Sequence, residues 1–271
     1  MYPAKFEYVR ASSSAEAIRM IQDSEDAKFI AGGHSLLPLM KFRMATPSLL
    51  VDIGRLSELS YVREDGNEIA IGALTRHCDV ERSELLRRSV PILAHVAGQV
   101  GDPQVRHRGT IGGSTAHGDG ASDLPAALLA LDATFVAEGP SGRRELPARE
   151  FFRGFLETAL GEDELLTEIR VPKAITTWSF QKFNRRAQDW AIVGVAAVRS
   201  DTTKVALVNM GSSPLRATGT EAALGEGASA PEAALRAAEG IDPPSDLNAS
   251  ADFRRHLASV LVRRALEEMN I

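Results

Sequence analysis

Two diglycine segments, AGGHS at 31–35 and TIGGS at 110–114, constrain this chain more than any other feature of its sequence. We predict that each follows a strand-like segment. Because glycine has no β-carbon, a Gly-Gly pair allows positive φ and a close approach of the backbone to a bulky ligand. Successive N–H groups in such a loop form a concave nest for phosphate oxygens, and Ser35, Thr110 and Ser114 add hydroxyl groups. Together the two loops predict a diphosphate site, whereas either loop alone is equally what a tight turn requires.

No familiar nucleotide or catalytic motif accompanies these loops. The sequence contains neither G-x-G-x-x-G nor G-x-x-x-x-G-K-S/T, which argues against a Rossmann NAD site and a Walker-type ATP site. It also lacks G-x-S-x-G and H-E-x-x-H, and its carboxylates are too scattered to predict paired general acid and base. His34 and His117 have no partner at metal-ligand spacing. The chemistry of such a chain is expected to reside in a cofactor that the protein positions.

The single cysteine, Cys78, excludes several kinds of site. One thiol forms no internal disulfide and cannot hold an iron–sulfur cluster, which usually needs four thiolates. A structural zinc site built on cysteine pairs is excluded for the same reason. We predict that Cys78 is a small, partly buried apolar side chain rather than a reactive thiol.

Charge and hydropathy argue against nucleic acid and membrane partners. The formal net charge is −5, which gives no basic surface for nucleic acid. The N-terminal residues lack the apolar core of a secretory signal, and every long apolar run is interrupted by a charge, so no transmembrane segment is predicted. We expect a cytoplasmic protein.

The apolar pattern predicts an α+β chain that begins with strand, helix and strand. Ser13 and Glu16 fit a capping box for a helix through Ile21. A continuous apolar strand is predicted at 49–53, and a hairpin around Asp65-Gly66. The other elements predicted in this part are a strand at 27–31, a helix at 91–100, a helix from Asp123 as N-cap to Leu131, a hairpin at 133–147 and a strand at 164–172.

The character of the sequence changes near Thr176. Three strand-like runs, WSFQKF, WAIVGVAAV and KVALVNM, are followed by helices at 231–239 and 252–269. Strands followed by helices favour a separate α+β layer. We therefore predict a first domain at 1–172, with lobes of about 1–54 and 55–172, and a C-terminal domain at 176–271 with a three-stranded sheet and helices.

AGGHSLLPLMKFRMATPSLLVDI at 31–53 and RGTIGGSTAHGDGASDLPAALLALDA at 108–133 resemble the flavin subunits of the xanthine dehydrogenase family. The likeness is greatest to the medium subunit of aerobic carbon monoxide dehydrogenase and related molybdenum hydroxylases. It extends over nearly the whole chain. The resemblance implies the FAD-binding fold shared with p-cresol methylhydroxylase and vanillyl-alcohol oxidase, with non-covalent FAD whose pyrophosphate lies between the two loops.

The resemblance also implies which residues contact FAD. Many family members have Asn where this chain has Ser114, and serine keeps a donor but has less reach. Lys182 and Gln181 are both matches for a family lysine that approaches the flavin, and the histidine side chains are either ligand contacts or ordinary loop residues. Carried over residue by residue, the implied contacts are Ala31, Gly32, Gly33, His34, Ser35, Leu36, Thr110, Gly112, Gly113, Ser114, His117, Asp123, Leu165 and Lys182.

Two basic groups flank these positions. Arg106 and Arg108 either offset phosphate charge or face solvent or a partner subunit. Lys182, Arg185 and Arg186 form a cluster beside a tryptophan, which fits a solvated strand edge as well as a flavin or partner role.

The resemblance implies an electron-transfer subunit rather than a complete enzyme. Its implied partners are a small subunit with two [2Fe–2S] clusters and a large molybdopterin subunit, assembled as a dimer of heterotrimers. One cysteine excludes the benzoyl-CoA reductase branch, whose flavin subunit carries its own [4Fe–4S] cluster. The alternatives are an independent FAD oxidoreductase, for which 271 residues is short, and a non-redox scaffold that kept the fold. Neither the substrate of the complex nor the final electron acceptor follows from this sequence.

Overall fold

The N-terminal lobe is a small parallel α/β unit. The computed structural model describes residues 2–271. In chain order the lobe contains β1 (Glu7–Arg10), α1 (Ser14–Gln22), β2 (Ala27–Ile30), α2 (Leu36–Lys41) and β3 (Leu49–Asp52). The strands pair in the order β1-β3-β2, all parallel. Leu50 and Val51 of the central strand are buried, as predicted for a strand covered on both faces.

The N-terminus of α1 differs from the predicted capping box. Ser13 is the N-cap, and its hydroxyl accepts from the Glu16 N–H at 3.2 Å. The Glu16 carboxylate, however, accepts from the backbone N–H of Ser12 at 2.6 Å rather than from that of Ser13. The cap residue was predicted correctly and the reciprocal bond was wrong by one residue.

The second lobe places helices against an antiparallel sheet. Its strands pair in the order β4-β5-β10-β6-β7, and both predicted hairpins are confirmed. The elements are β4 (Val62–Asp65), β5 (Glu68–Gly72), α3 (His77–Arg82), α4 (Glu84–Ser89), α5 (Pro91–Gly98), α6 (Pro103–Arg108), α7 (Ile111–His117), α8 (Asp123–Ala130), β6 (Thr134–Gly139), β7 (Gly142–Pro147), α9 (Ala148–Phe151), β8 (Phe152–Gly154), β9 (Glu157–Thr158) and β10 (Leu165–Pro172).

Two expectations about this lobe were wrong. The second diglycine segment follows helix α6 rather than a strand, and its glycines lie in the first turn of α7. Ser122, not Asp123, is the N-cap of α8, so Asp123 is the first helical residue.

The C-terminal part is an antiparallel sheet covered by helices. The three predicted strands are present, and a two-residue strand extends the sheet to the order β11-β12-β13-β14. Helix α11 is shorter than predicted and α10 was not predicted. The elements are β11 (Thr177–Phe183), β12 (Val193–Arg199), β13 (Thr203–Val208), β14 (Leu215–Arg216), α10 (Thr218–Gly225), α11 (Ala230–Ala234) and α12 (Ala251–Glu268). The α+β fold class is confirmed.

The C-terminal sheet is buried on both faces. Along β12, Ala196 and Val198 belong to the core of the second lobe, whereas Val193 and Val195 pack in a second core with α12. This alternation is the period of two that a strand imposes. Each fully buried valine contributes about 1.5–3 kcal/mol, so the sheet joins its helices to the second lobe through an apolar contact.

Asp132 is the centre of an ion-pair network between the second lobe and the C-terminal part. It accepts from Arg149 at 2.8 Å, Lys204 at 2.5 Å and Arg216 at 2.9 Å. Burial would raise the pKa of the Asp132 carboxyl, but hydrogen bonds from Arg149 and Lys204 and the charge of Arg216 lower it to about 2. Asp132 is therefore held ionised between β13, β14 and the end of α8.

No helix within residues 2–271 combines the length and the apolar character that a membrane crossing requires.

Candidate functional site

The first diglycine loop leaves a run of backbone donors unpaired. None of the N–H groups of residues 32 to 36 donates to another backbone group within residues 2–271. Gly33 has φ of 80°, in the left-handed region that glycine adopts without strain. The His34 side chain is exposed, and Ser35 makes no capping bond to α2. Consecutive free N–H groups around a positive φ form the nest that binds anionic oxygens.

The second diglycine loop is not an open nest of this kind. The N–H groups of residues 111–114 donate to the carbonyls of Thr75, Ala73 and Thr110 and to the Thr110 hydroxyl, at 2.8–3.0 Å. The expectation of free backbone donors is therefore wrong for these four residues. In place of free backbone N–H groups, this loop offers a ligand only its side chains.

The glycines of the second loop serve the packing of α7. A β-carbon on Gly112 would lie 2.6 Å from the carbonyl oxygen of Ala73, at the end of β5. A β-carbon on Gly113 would lie 2.7 Å from the hydroxyl oxygen of Thr110, which caps α7. Both positions therefore require glycine for reasons internal to the protein.

The first loop directly contacts the end of α6, immediately before the second loop. A β-carbon on Gly32 would lie 2.2 Å from the carbonyl oxygen of Arg108, so only glycine permits this approach. The Arg76 guanidinium donates to that same carbonyl, and at 3.2 Å to the carbonyl of Gly54, which follows β3. Arg76, which was not among the predicted site residues, thus connects the first lobe to the second beside both loops.

His77 is a buried histidine at this junction. Its ring lies against Gly109, and its Nδ1 has no hydrogen-bond partner within residues 2–271. Burial, together with the smaller effect of the charges of Arg76, His34 and Arg106, lowers the pKa of His77 to about 4. The ring is therefore neutral at neutral pH. A polar pair following a buried strand, Arg76-His77 after β5, was the available sequence signal.

Asp123 and Lys182 form a buried ion pair between α8 and β11. The Lys182 ammonium donates to Asp123 Oδ2 at 2.7 Å and to the Gln99 carbonyl at 2.9 Å, and each side chain is only 7% exposed. Burial raises the pKa of the Asp123 carboxyl, and Lys182 opposes that shift. Asp123 Oδ1 has no partner within residues 2–271. An unpaired buried carboxylate oxygen is costly, and a donor on a bound ligand would satisfy it.

The other predicted positions fall into different environments. Ser114 and His117 are half-buried on α7, which packs against α8 and so lies beside Asp123. Burial lowers the pKa of His117, an effect that Asp119 partly offsets. Leu165 is buried in the core of the first lobe, so its side chain is part of the packing that joins the lobes.

Gln181 and Cys78 are accounted for without a ligand. The Gln181 amide donates to Glu268 of α12 at 2.7 Å, away from the Asp123 pair. Lys182 is thus the member of that adjacent pair that faces α8. Cys78 is a buried thiol whose pKa is raised by burial, which agrees with its prediction as an apolar side chain.

These residues fit a cofactor with a diphosphate and a polar ring system. The first loop supplies free N–H groups, α7 supplies the Ser114 hydroxyl, and Asp123 supplies an acceptor without a donor. Two cavities in the C-terminal part are lined by none of these residues.

The fold and this site together define a flavin-binding protein, and comparison with known proteins identifies its family. The family model for the FAD binding domain in molybdopterin dehydrogenase matches residues 4–174. The model for the CO dehydrogenase flavoprotein C-terminal domain matches residues 178–269. The chain therefore belongs to the FAD-binding oxidoreductase subunits of the molybdopterin dehydrogenase family.

Individual relatives are similar to this chain over nearly their full length. The chain is 43% identical to the carbon monoxide dehydrogenase medium chain of Hydrogenophaga pseudoflava, over 98% of this chain and 97% of that one. It is 38% identical to subunit alpha of the 6-hydroxypseudooxynicotine dehydrogenase complex of Paenarthrobacter nicotinovorans, over 98% and 95%. A solved structure of the Hydrogenophaga pseudoflava carbon monoxide dehydrogenase superimposes with a TM-score of 0.94 at 42% identity, covering 99% of this chain and 98% of that chain.

Proposed function

We propose that this chain binds FAD non-covalently between residues 31–36 and the start of α7, and that it serves as the electron-transfer subunit of a molybdenum hydroxylase. In this role it receives electrons from [2Fe–2S] clusters of a small partner subunit and passes them to an external acceptor. Oxidation of the organic or inorganic substrate would take place at molybdopterin in a large partner subunit. The observation that carries the proposal is the run of unpaired N–H groups at residues 32–36.

Different residues bind different parts of the cofactor. The backbone of residues 32–36 binds the pyrophosphate through charge-assisted hydrogen bonds. Thr110 fixes the first turn of α7, and the Ser114 hydroxyl and the His117 ring of this helix add side-chain contacts to the cofactor. Asp123 accepts from the flavin end through its unpaired Oδ1, and Lys182 holds that carboxylate in place. When bound, FAD accepts electrons singly and releases them singly or in pairs.

The relatives support the subunit role and leave the substrate open. One relative is named for carbon monoxide and another for 6-hydroxypseudooxynicotine. Similar medium chains thus accompany different substrates, as expected if substrate choice is made in another subunit. We further propose a dimer of heterotrimers, division of the chain into domains at 1–172 and 176–271, and a cytoplasmic location.

Substitution of Asp123 tests the flavin site. Asp123→Asn removes the acceptor charge and leaves Lys182 without its ion pair, so we expect the Kd for FAD to rise at least about tenfold, or about 1.4 kcal/mol. Flavin absorbance after gel filtration and titration of the apo chain with FAD measure this. Asp201→Asn, at an exposed turn, is the matched control and should bind FAD normally. Absence of flavin bands from the unaltered chain after FAD is supplied would refute the site.

Reconstitution with partners tests the subunit role. Substrate should bleach the flavin band of the assembled complex and should leave it unchanged when the small iron–sulfur subunit is omitted. Reduction of the isolated FAD-loaded chain by an organic substrate would instead identify an independent FAD oxidoreductase.

A further inference from the structure

Helix α2 and the residues that follow it are apolar but exposed. The sequence of the helix, LLPLMK, is almost entirely apolar, yet Met40 is its one buried residue. Leu37 is 38% exposed, and beyond the helix Phe42 is 70% and Met44 69% exposed. Single apolar residues on a surface need no explanation, but a group of them within one short segment indicates contact with another molecule.

The end of α2 carries an arginine where glycine would be less strained. The N–H of Met44 donates to the Leu39 carbonyl at 2.9 Å and that of Arg43 to the Met40 carbonyl at 3.1 Å. This is the Schellman motif, whose left-handed residue is usually glycine. Here that residue is Arg43, with φ of 58°, a conformation that strains a residue with a side chain. The chain thus keeps a cation at this turn in spite of its backbone.

Helix α12 ends in the same motif and allows a direct comparison. Asn270 occupies the left-handed position there, also with φ of 58°, and Ile271 follows it. Ile271 packs against the C-terminal core, as the apolar residue at this position commonly packs against its own helix. Met44 has the equivalent position after α2 and remains mostly exposed. The exposure of Met44 is therefore a property of this segment and not of the turn.

The charges of the segment are all positive. Lys41 and Arg43 lie on either side of Phe42, both are exposed, and neither has a carboxylate partner within residues 2–271. Aromatic residues, methionine and arginine are the residue types enriched in protein interfaces. The complement of such a surface is an apolar contact bordered by acidic side chains. We call the exposed residues of this segment the α2 surface: Leu37, Lys41, Phe42, Arg43 and Met44.

We propose that the α2 surface binds the small iron–sulfur subunit, through an apolar contact with acidic residues around it. This inference rests on the proposed function, which requires that subunit to come close to the flavin. Helix α2 directly follows the unpaired N–H groups of residues 32–36, so a chain seated on α2 borders the candidate FAD site. The large subunit passes electrons only to the clusters, so the flavin does not constrain its position in this way.

Calorimetric titration of the full, FAD-loaded chain with the purified small iron–sulfur subunit tests the α2 surface. Phe42→Ala should raise the Kd at least about tenfold, as loss of a central aromatic side chain does in other interfaces. Leu235→Ala is the matched control, since Leu235 is 79% exposed at the end of α11, and it should leave the Kd unchanged. Flavin absorbance of each sample reports FAD binding separately.

Arg43→Gly separates loss of the contact from loss of the fold. Glycine adopts positive φ without strain, so this variant should be at least as stable as the unaltered protein in urea denaturation. Its Kd for the small subunit should nevertheless rise at least about threefold and depend less on salt, because a charge of the interface is gone. Asn270→Gly makes the same change at the equivalent position after α12 and should alter neither the Kd nor its salt dependence.

The possible failures are distinguishable. If Phe42→Ala and Arg43→Gly each change the Kd by less than about twofold, the α2 surface is not the contact, although the subunit role stands. Absence of binding to the unaltered, FAD-loaded chain would overturn both the surface and the subunit role. Loss of FAD from either variant would make the segment part of the cofactor site instead, and self-association of the chain that Phe42→Ala abolishes would identify a second copy as the occupant.

Discussion

The backbone conformation at position 33 strongly favours glycine. Its φ of 80° is a conformation that a side chain disfavours, and it lies within the run of unpaired N–H groups at residues 32–36. A left-handed conformation costs a residue with a side chain about 1–2 kcal/mol. A side chain here therefore changes the backbone of the loop that the ligand would contact.

Gly33→Val should reduce FAD affinity at least about tenfold, because the strained loop rearranges its N–H groups. Gly66→Val is the control, since Gly66 also has positive φ, 57°, in the β4–β5 hairpin, where a β-carbon would meet nothing within 4 Å. The two variants carry similar strain, so similar thermal stability with FAD loss only in Gly33→Val supports the site. Equal FAD affinity in both variants would assign the first loop a purely structural role.

Substitution of Gly113 tests the position of helix α7 and not the backbone of the first loop. A side chain there approaches the Thr110 hydroxyl at 2.7 Å and disturbs the cap of α7. Gly113→Val is still expected to lose FAD, but through displacement of α7 and not through a filled nest.

At the scale of elements, α7 is positioned by its contact with β5. Gly112 is buried against Ala73, and its N–H donates to the Ala73 carbonyl at 2.8 Å. Because two glycines are poor helix formers, this contact and the Thr110 cap supply much of what holds the helix.

Gly112→Ala should destabilise the protein by about 2 kcal/mol or more, because the new methyl group overlaps Ala73 and packed cores resist added volume. Gly225→Ala is the matched control, a helical glycine at the end of α10 whose β-carbon would meet nothing within 4 Å. It should change stability by less than about 1 kcal/mol. Urea denaturation of both variants measures the difference, and equal midpoints would contradict the close packing of α7 on β5.

The long periodic elements were predictable and the short helices were not. Strand β3, the β4–β5 hairpin and helix α12 follow from apolar runs, turn residues and length. Helices α2, α6 and α7 have six or seven residues, too few for periodicity to register, and they are stabilised by caps and tertiary contacts.

Within the site, the sequence predicted the loops but not the residues that align them. The diglycine pattern and the family resemblance identified Gly32, Asp123 and Lys182. Arg76 and the Gln99 carbonyl carry no motif, because their role is to bond backbone groups that are distant along the chain. Whether the predicted contacts bind FAD stays a prediction for the titrations described above.

At the scale of the molecule, the Asp132 network joins the second lobe to the C-terminal sheet. Its carboxylate receives bonds from three cations on different elements. Since the folded pKa of about 2 is below the value of about 3.9 of an unfolded aspartate, ionised Asp132 stabilises the fold. That contribution is fully present above about pH 4 and is lost as the pH falls through about 2.

Asp132→Asn should lower the free energy of unfolding by about 1–3 kcal/mol at pH 7. The difference from the unaltered protein should shrink as the pH falls from about 4 towards 2, because protonation progressively removes the charge that distinguishes Asp132 from asparagine. Asp242→Asn provides the comparison, since the Asp242–Arg255 pair is exposed and should contribute less than about 0.5 kcal/mol. Urea denaturation at pH 7, 4 and 2.5 measures both, and a pH-independent effect of Asp132→Asn would contradict the role of its charge.

The contact of Gly32 with Arg108, reinforced by Arg76, has a kinetic consequence for cofactor loading. Since the first loop already touches the end of α6 within the protein itself, the lobes need not close around an incoming ligand. The entropy of bringing them together is lost during folding and not during binding. Loading should therefore follow a single bimolecular phase whose rate rises linearly with cofactor concentration, without the plateau that a slow closing step would impose.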